Sequence, residues 1–333
     1  MEPKEPIVLE TPPGFRIAPT VQLSPIGVLP PLVYEPTQQA LQIALPSRLF
    51  GNFELLPCVE ILVREVPGHA ALAVYGMRPG SVAEAAKDKV RVMLGLDEDL
   101  ALFHHLCERD RELSWAAEHR VGHILRSPTV FEDLVKVLIV TQKPKQAALI
   151  CQKLCTEFGS PTMLGRNCFP DAAQLATAKE ATLSDELGLG TLGKMIWRLA
   201  VRCADGRPEP ETLRRVRPSI SAALAGEDES LFDDLVGEEL EWQERIAELL
   251  LTLPGFGVRA VPSMLRLLGC YDLVELHKAA LHAFAKRHPR RRKSKEAETS
   301  EETLERLLKR VDGFAIYRNL AQSLLLLPPL RSA

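Results

Sequence analysis

Alternating apolar and polar positions mark two neighbouring strands near the start of the chain. Residues 59–65 read Val-Glu-Ile-Leu-Val-Arg-Glu and residues 71–75 read Ala-Leu-Ala-Val-Tyr, with Pro67-Gly68-His69 between them. Strand-length runs joined by a short Pro-Gly segment are typical of a β-hairpin. The first 46 residues contain ten prolines between short aliphatic runs and show few helix signals. We therefore expect a small antiparallel sheet with irregular edges in residues 1–80.

From about Ser81 the apolar positions follow the period of an α-helix. Thr129 and Glu132 have the spacing of a capping box at the start of one helix. The apolar face of that helix is expected to contain Phe131, Leu134, Val135, Leu138 and Ile139. Further helices are predicted over residues 144–158, 171–177, 184–187, 192–204, 231–253, 273–287, 301–311 and 314–327. The predicted fold is mainly α, and α+β overall, with a β-rich domain over residues 1–80 and a two-lobed helical domain over residues 81–333.

Composition narrows the class of protein. The chain has 333 residues, of which 46% are hydrophobic and 26% charged, as in a globular protein with its own core. No apolar run approaches the roughly 18–20 residues that cross a bilayer, and the first thirty residues do not resemble a signal peptide. We therefore expect a cytoplasmic protein with no membrane contact.

The seven cysteines are scattered and odd in number. This pattern favours a reducing compartment over a disulfide framework. Cys151 and Cys155 lie four residues apart on a predicted helix, and we expect them to be core thiols. The chain lacks the four-cysteine cluster of an iron–sulfur protein, so no such cofactor is expected.

Charge is balanced along most of the chain. The net charge is −3, so binding of a polyanion would depend on a local basic patch. Seven of the ten residues from Lys286 to Lys295 are basic. This run predicts either a solvated loop or a phosphate-binding arm that includes Arg290, Arg291, Arg292 and Lys293.

Residues 253–260 read Leu-Pro-Gly-Phe-Gly-Val-Arg-Ala between two apolar helices. A helical hairpin over residues 246–268 is predicted, in which the first helix ends at Leu253, a tight turn follows, and the second helix begins near Val258. Gly255 and Gly257 can adopt positive φ and allow close approach of another backbone. The second helix would then present free N–H groups and its positive dipole end to a phosphate. The alternative is an ordinary connection in a helical domain that happens to contain two glycines.

Four blocks in this order resemble the helix-hairpin-helix (HhH-GPD) DNA glycosylase superfamily, in its branch of 8-oxoguanine and 3-methyladenine glycosylases. They are residues 127–135 (Ser-Pro-Thr-Val-Phe-Glu-Asp-Leu-Val) with Phe158-Gly159; Phe169-Pro170 followed by Leu187-Gly188-Leu189-Gly190; the hairpin at 253–260; and Gly269-Cys270-Tyr271-Asp272 with residues 317–321 (Tyr-Arg-Asn-Leu-Ala). The resemblance implies a monomer that binds double-stranded DNA and flips a damaged base into a pocket for cleavage of its N-glycosidic bond in base excision repair. It also implies DNA contacts from Gly255, Phe256, Gly257, Val258 and Arg259. Finally, it implies a monovalent cation on the backbone carbonyls of Leu251, Leu253 and Phe256.

The residues that carry the chemistry depart from the family pattern. The family aspartate that stabilises the cationic transition state aligns with His277 when residues 269–281 are read without a gap. A neutral imidazole can deprotonate a water but cannot stabilise a developing cation. Glu275 lies two residues earlier and is a second candidate, unless it forms a capping box with Asp272. His277 has its own alternative, a solvated position on a helix.

Two further positions also differ. The lysine that attacks C1′ in bifunctional members is replaced by Arg259, and an arginine stays protonated and cannot form a Schiff base. We therefore exclude a lyase step there, so that Arg259 is a phosphate contact or an ordinary surface residue. Gln142 matches an asparagine that probes the gap left by the flipped base, while Lys145 stands where relatives often have an aromatic residue. The sequence thus predicts a monofunctional DNA N-glycosylase, with a catalytically inactive DNA-binding protein and a helical protein of another role as alternatives.

Overall fold

The computed structural model describes residues 6–49, 58–76, 81–214, 229–274, 278–289 and 299–326. The chain folds into two compact units, each made of two pieces of sequence. The first unit comprises Met1–Asp97 and His123–Arg215, and the second comprises Glu98–Gly122 and Val216–Ala333. The chain therefore leaves the first unit, returns to it and leaves it again.

The first unit contains, within its described residues, a five-stranded antiparallel sheet in the order β1-β5-β4-β3-β2. Its register places Leu41 opposite Val63 and Leu9 opposite Leu72, and all four side chains are buried in one core. The sheet predicted for the first 80 residues is confirmed, including its hairpin. The strands are β1 (Ile7–Glu10), β2 (Val33–Glu35), β3 (Ala40–Pro46), β4 (Cys58–Glu65) and β5 (Ala71–Tyr75).

Helices dominate the rest of the described chain, as the apolar periodicity predicted. Those of the first unit are α1 and α2 beside the sheet, and α5 to α8; the second unit holds α3, α4 and α9 to α13. None of them is long and apolar enough to cross a membrane. The described helices are α1 (Ile17–Leu23), α2 (Ser81–Leu94), α3 (Ala101–Glu108), α4 (Ser114–Glu118), α5 (Val130–Gln142), α6 (Ala147–Phe158), α7 (Ala172–Thr177), α8 (Thr191–Ala204), α9 (Glu229–Leu251), α10 (Ala260–Leu267), α11 (Lys278–Arg287), α12 (Ser300–Val311) and α13 (Arg318–Leu326).

Helix α5 begins where its cap was predicted. The Thr129 side chain accepts a hydrogen bond from the Glu132 N–H at 3.2 Å. The Glu132 carboxylate does not complete the capping box and instead pairs with the buried Lys136 ammonium at 2.6 Å. Burial alone would lower the pKa of Lys136, but the Glu132 carboxylate reverses the effect and the pKa is raised. The pairing with Glu132 therefore keeps the Lys136 side chain protonated although it is buried in the first unit.

A short 3₁₀ helix, Pro210–Leu213, binds the same end of α5. The Glu211 carboxylate accepts the Val130 N–H at 2.8 Å, which satisfies a donor that the helix itself cannot. The neighbouring Arg214 donates to Asp133 at 3.3 Å. Burial raises the pKa of Asp133 to about 6, although Arg214 opposes that effect.

A disulfide between Cys58 and Cys168 joins β4 to the loop before α7. The expectation that the cysteines form no disulfide is therefore wrong for this pair, because strand and loop meet across 110 residues of sequence. Beside it, Glu60 accepts hydrogen bonds from the Arg166 guanidinium at 2.8 and 3.2 Å. Cys151 and Cys155 are buried on α6 as predicted, and burial raises the pKa of each thiol to about 12.

The core of the second unit contains a row of aromatic rings. The Phe103 ring lies 5.4 Å from the Tyr317 ring, which lies 6.2 Å from the Tyr271 ring, centroid to centroid. Tyr271 and Tyr317 are both fully buried. Arg310 on α12 also donates to both oxygens of Asp110, at 2.6 and 2.7 Å, and so ties the α3–α4 region to the C-terminal helices.

Candidate functional site

The predicted helical hairpin is present in the second unit. Helix α9 ends at Leu251 and α10 begins at Ala260, so the turn is about two residues longer at each end than the sequence pattern indicated. Leu253 and Phe256 point inward, with 3% and 7% of their surface exposed. These two buried side chains anchor the turn in the unit, whereas Thr252, Val258 and Arg259 are exposed.

The two glycines of the turn differ in backbone conformation. Gly255 has φ 81°, in the left-handed region that strongly favours glycine. Gly257 does not have a positive φ, and a Cβ placed on it would meet nothing within 4 Å. The prediction of positive φ is therefore confirmed for Gly255 and wrong for Gly257, whose backbone any small residue could adopt.

The N-terminal end of α10 offers free donors. Within the part of the chain that the structure describes, the N–H groups of Gly257, Val258 and Arg259 donate no hydrogen bond, whereas those of Ala260 and Val261 both donate to the Gly257 carbonyl. Val258 is 85% exposed, and Arg259 is also exposed. No side chain caps this helix end. Free N–H groups beside a guanidinium at a helix N-terminus favour an anion.

The carbonyl groups at the end of α9 have the chemistry of a cation site. The Leu253 carbonyl accepts one hydrogen bond, from the Phe256 N–H at 3.1 Å, which leaves its second lone pair available. Among the described residues, no backbone N–H donates to the carbonyls of Leu251 or Phe256 outside a helix. Such oxygens suit a hard cation. A cluster of His, Cys, Asp and Glu side chains able to hold a metal is not found in the described residues.

Gln142 and Lys145 lie in the first unit, at the connection between α5 and α6. Gln142 is the last residue of α5, and Lys145 belongs to the 3₁₀ turn Pro144–Gln146 that follows. Both side chains are exposed. The role of Gln142 toward DNA stays a prediction.

The segment that follows the hairpin is held at Asp272 by Arg318, a partner that the sequence spacing does not indicate. Arg318, at the start of α13, donates to both carboxylate oxygens of Asp272, each at 2.7 Å. This hydrogen-bonded pairing raises the pKa of Arg318. The Asp272 N–H, which a capping box would direct to Glu275, instead donates to Gln243 at 3.3 Å. The N–H and the carboxylate of Asp272 thus both have described partners, and the capping role of Glu275, which lies outside the described residues, stays a prediction.

The remaining predicted site residues lie outside the described residues. They are the two catalytic candidates Glu275 and His277, and the basic residues Arg290, Arg291, Arg292 and Lys293. Arg287 and His288, which lie at the start of the basic run and precede residues 290–293, are described and bind the carbonyls of Leu326 and Leu325 at 3.2 Å each. The rest of the run thus follows directly on an anchored helix end.

Comparison with known proteins identifies the fold. No family model and no curated protein matches the sequence. Among solved structures, the chain is similar to 3-methyladenine DNA-glycosylase from Archaeoglobus fulgidus, with 18% identity, a TM-score of 0.65, and 96% of this chain and 97% of that chain covered. It is also similar to the 8-oxoguanine glycosylase/lyase of Clostridium acetobutylicum in its apo form, with 13% identity, a TM-score of 0.65, and 97% of this chain and 95% of that chain covered. For the same glycosylase/lyase in complex with double-stranded DNA containing cytosine opposite 8-oxoguanine, the identity is 11%, the TM-score is 0.63, and 97% of this chain and 94% of that chain are covered. The chain has the fold of these DNA glycosylases, and the expected fold is confirmed.

Proposed function

We propose that this chain binds duplex DNA and acts as a monofunctional DNA N-glycosylase of base excision repair. The observation that carries the proposal is the exposed end of α10, where three free N–H groups lie beside Arg259. It is supported by the fold, which the chain shares with glycosylases at 11–18% identity. One of these neighbours is in complex with double-stranded DNA.

A DNA phosphate is the ligand that suits this end of the hairpin. Its oxygens would accept hydrogen bonds from the N–H groups of Gly257, Val258 and Arg259, with the Arg259 guanidinium as a further donor. The buried Phe256 and the left-handed Gly255 would hold the turn in place before DNA arrives. Gln142 would contribute an amide to the base left unpaired after flipping.

The cation proposed for the hairpin would be held by the carbonyls of Leu251, Leu253 and Phe256. Bound there, a monovalent ion would supply positive charge close to the phosphate. The lone pairs that are free on these carbonyls support the proposal. No iron–sulfur cluster is proposed.

The proposed reaction is hydrolysis of the bond between a damaged base and C1′ of its sugar. Water adds to C1′, the base departs with the bonding electrons and takes up a proton, and an abasic site remains. A carboxylate near C1′ would stabilise the developing oxocarbenium charge, and Glu275, two residues before the family position that His277 occupies, is the candidate carboxylate. The Asp272 N–H, which a capping box would direct to the Glu275 side chain, donates to Gln243, and this supports the assignment over a capping role. His277 remains the second candidate, as the acceptor of the water proton.

One specific observation favours a second function. The aspartate expected for the family is replaced by His277, so the same apparatus can bind DNA without cleaving it. In that case the protein would recognise an altered duplex and leave the glycosidic bond intact.

Duplexes that each carry a single damaged base separate these functions. The products are treated with alkali, which breaks the strand at an abasic site, and duplex affinity is measured in parallel. We expect cleavage of at least one lesion by the wild type, and a loss of roughly 10²- to 10³-fold in Glu275→Gln with affinity unchanged. Glu248→Gln, at an exposed carboxylate on α9, is the matched control.

Three results would change the assignment. Cleavage that appears only in His277→Asp would identify a decayed enzyme. Tight duplex binding without cleavage by wild type or His277→Asp would establish the binding protein. Robust cleavage that survives loss of both Glu275 and His277 would show that neither residue carries the chemistry.

The basic run is tested through the salt dependence of binding. Neutralising Arg290, Arg291, Arg292 and Lys293 should weaken binding to all sequences alike. It should also flatten the plot of log affinity against log salt, by up to about 0.9 per phosphate contact removed. An unchanged slope would leave the run without a role in DNA binding.

A further inference from the structure

Asn319 joins two parts of the second unit that the proposed function uses separately. It lies on α13 with no exposed surface. Its Nδ2 donates to the Leu273 carbonyl at 2.5 Å, and its backbone N–H donates to the Tyr271 carbonyl at 2.6 Å. Its Oδ1 accepts from Arg266 at 3.3 Å, and Arg266 is on α10, the second helix of the hairpin. One buried amide therefore contacts both the phosphate-binding helix and the segment that follows it.

The neighbouring Arg318 strengthens the same connection. It holds both oxygens of Asp272, which lies between the two residues whose carbonyls Asn319 binds. The Asp272 N–H donates in turn to Gln243 on α9, the first helix of the hairpin. The segment from Tyr271 to Leu273 is thus tied to α9 and α13 and, through Asn319 and Arg266, to α10.

These contacts specify a position, whereas apolar packing alone would only bury surface. A hydrogen bond has a preferred distance and direction, so an amide that serves a carbonyl on one side and a guanidinium on the other fixes the spacing between them. The assignment of the amide atoms follows from the partners, because the carbonyl needs a donor and Arg266 an acceptor. A leucine at 319 would fill a similar volume without fixing that spacing.

We propose that Asn319 is a positioning residue, which sets the segment Tyr271–Leu273 in register with the helix that binds the DNA phosphate. This inference rests on the proposed glycosylase function. The segment leads toward Glu275, so its register would determine where a carboxylate stands relative to a sugar whose phosphate is held at the hairpin. Loss of Asn319 should then impair recognition of charge at C1′ while leaving phosphate binding intact.

Affinity for three duplexes measures this effect without a known lesion. One duplex is unmodified, one carries a neutral tetrahydrofuran abasic analogue, and one carries a cationic pyrrolidine analogue at the same site. The ratio of Kd for the neutral analogue to Kd for the cationic analogue reports negative charge placed near C1′. We expect a ratio of at least about tenfold in the wild type. In Asn319→Ala it should fall close to one, with affinity for the unmodified duplex within about twofold.

Two further variants make the result specific. Asn319→Asp keeps the acceptor for Arg266 and the side-chain volume but loses the donor to Leu273, so its ratio should also fall. If Asn319→Ala does not unfold cooperatively, the ratio measured for Asn319→Asp decides the outcome. The matched control is Asn167→Ala in the first unit, which also removes an amide that donates to a backbone carbonyl, that of Cys155 at 3.0 Å. Its ratio should equal that of the wild type.

The outcomes distinguish this inference from the proposed function. A wild-type ratio near one would show that no negative charge is placed near C1′, and this would overturn both the proposed charge-stabilising site and the positioning role. A high ratio that persists in folded Asn319→Ala and Asn319→Asp would overturn the positioning role alone. A fall in ratio accompanied by an equal loss of affinity for unmodified duplex would show a structural effect and would also overturn it.

Discussion

Gly257→Ala is expected to separate DNA binding from folding. Gly257 is outside the left-handed region and its missing Cβ has open space around it. Replacing glycine by alanine at a compatible position stabilises a protein by about 0.4–1 kcal/mol, because the unfolded chain loses freedom. The thermal midpoint should therefore stay level or rise by about 1–4 °C, at roughly 2–4 °C per kcal/mol for a unit of this size.

The same methyl group would stand beside the N–H groups proposed to bind phosphate. Loss of one hydrogen bond to a charged group costs about 1.5–3 kcal/mol. At about 1.4 kcal/mol per decade of affinity, duplex binding should fall roughly 10- to 100-fold. Fluorescence anisotropy with a labelled duplex at fixed salt measures the affinity, and circular dichroism measures the thermal midpoint.

Two other glycines provide the controls. Gly255→Ala forces a Cβ into the left-handed conformation at φ 81°, which costs about 1–2 kcal/mol, so the thermal midpoint should drop. Gly237→Ala on α9 adds a methyl group in open space without positive φ, away from the turn, and should leave affinity unchanged. If Gly257→Ala binds duplex as tightly as Gly237→Ala does, these N–H groups do not hold the phosphate.

Three other predictions concern the first unit. Thiol titration of the unfolded protein should find five of the seven cysteines without reductant and all seven with reductant. Cys168→Ser should lower the free energy of unfolding, measured in a denaturant titration, by up to about 5 kcal/mol, since the disulfide closes a loop of 110 residues. Gly193→Ala places a Cβ 2.6 Å from the Leu183 carbonyl and should destabilise the protein by roughly 1–3 kcal/mol, and an unchanged denaturation midpoint would contradict the close approach. Burial raises the pKa of Asp133 from 3.8 to about 6, so the wild type gains stability from proton uptake as the pH falls through about 6, and that gain is lost as the pH rises. Denaturation at several pH values should show the stability of the wild type improving relative to that of Asp133→Asn toward acid pH. A difference in stability that is constant with pH would refute the shift.

Local signals in the sequence predicted the elements well. The Thr129 cap gave the start of α5, and Pro67-Gly68-His69 gave the turn between β4 and β5, because each depends on residues close together in the chain. Helix ends were less accurate: α9 stops at Leu251 and not Leu253, since apolar periodicity continues into the buried part of the turn.

Partners that depend on burial or on distant parts of the chain could not be predicted. Glu132 fits a capping box, yet its carboxylate binds Lys136 once both are buried together. Asp272 binds Arg318, 46 residues away, a pairing that no local pattern in the sequence indicates. Only the placement of a polar Asn319 among the apolar residues of α13 could have indicated that a buried amide was needed there.

The two-piece construction of the second unit has a consequence for synthesis on the ribosome. Helix α3 carries Phe103, which is fully buried in the finished protein, and the rings of Phe314 and Tyr317 that contact it follow about 200 residues later in the chain. Asp110 must wait for Arg310, 200 residues downstream. At about 5–20 residues per second, that delay is about 10–40 s. Throughout that interval Phe103 and Asp110 lack their native partners from the C-terminal segment, so the apolar surface of α3 is exposed to misassociation for longer than it takes to synthesise α3 and α4.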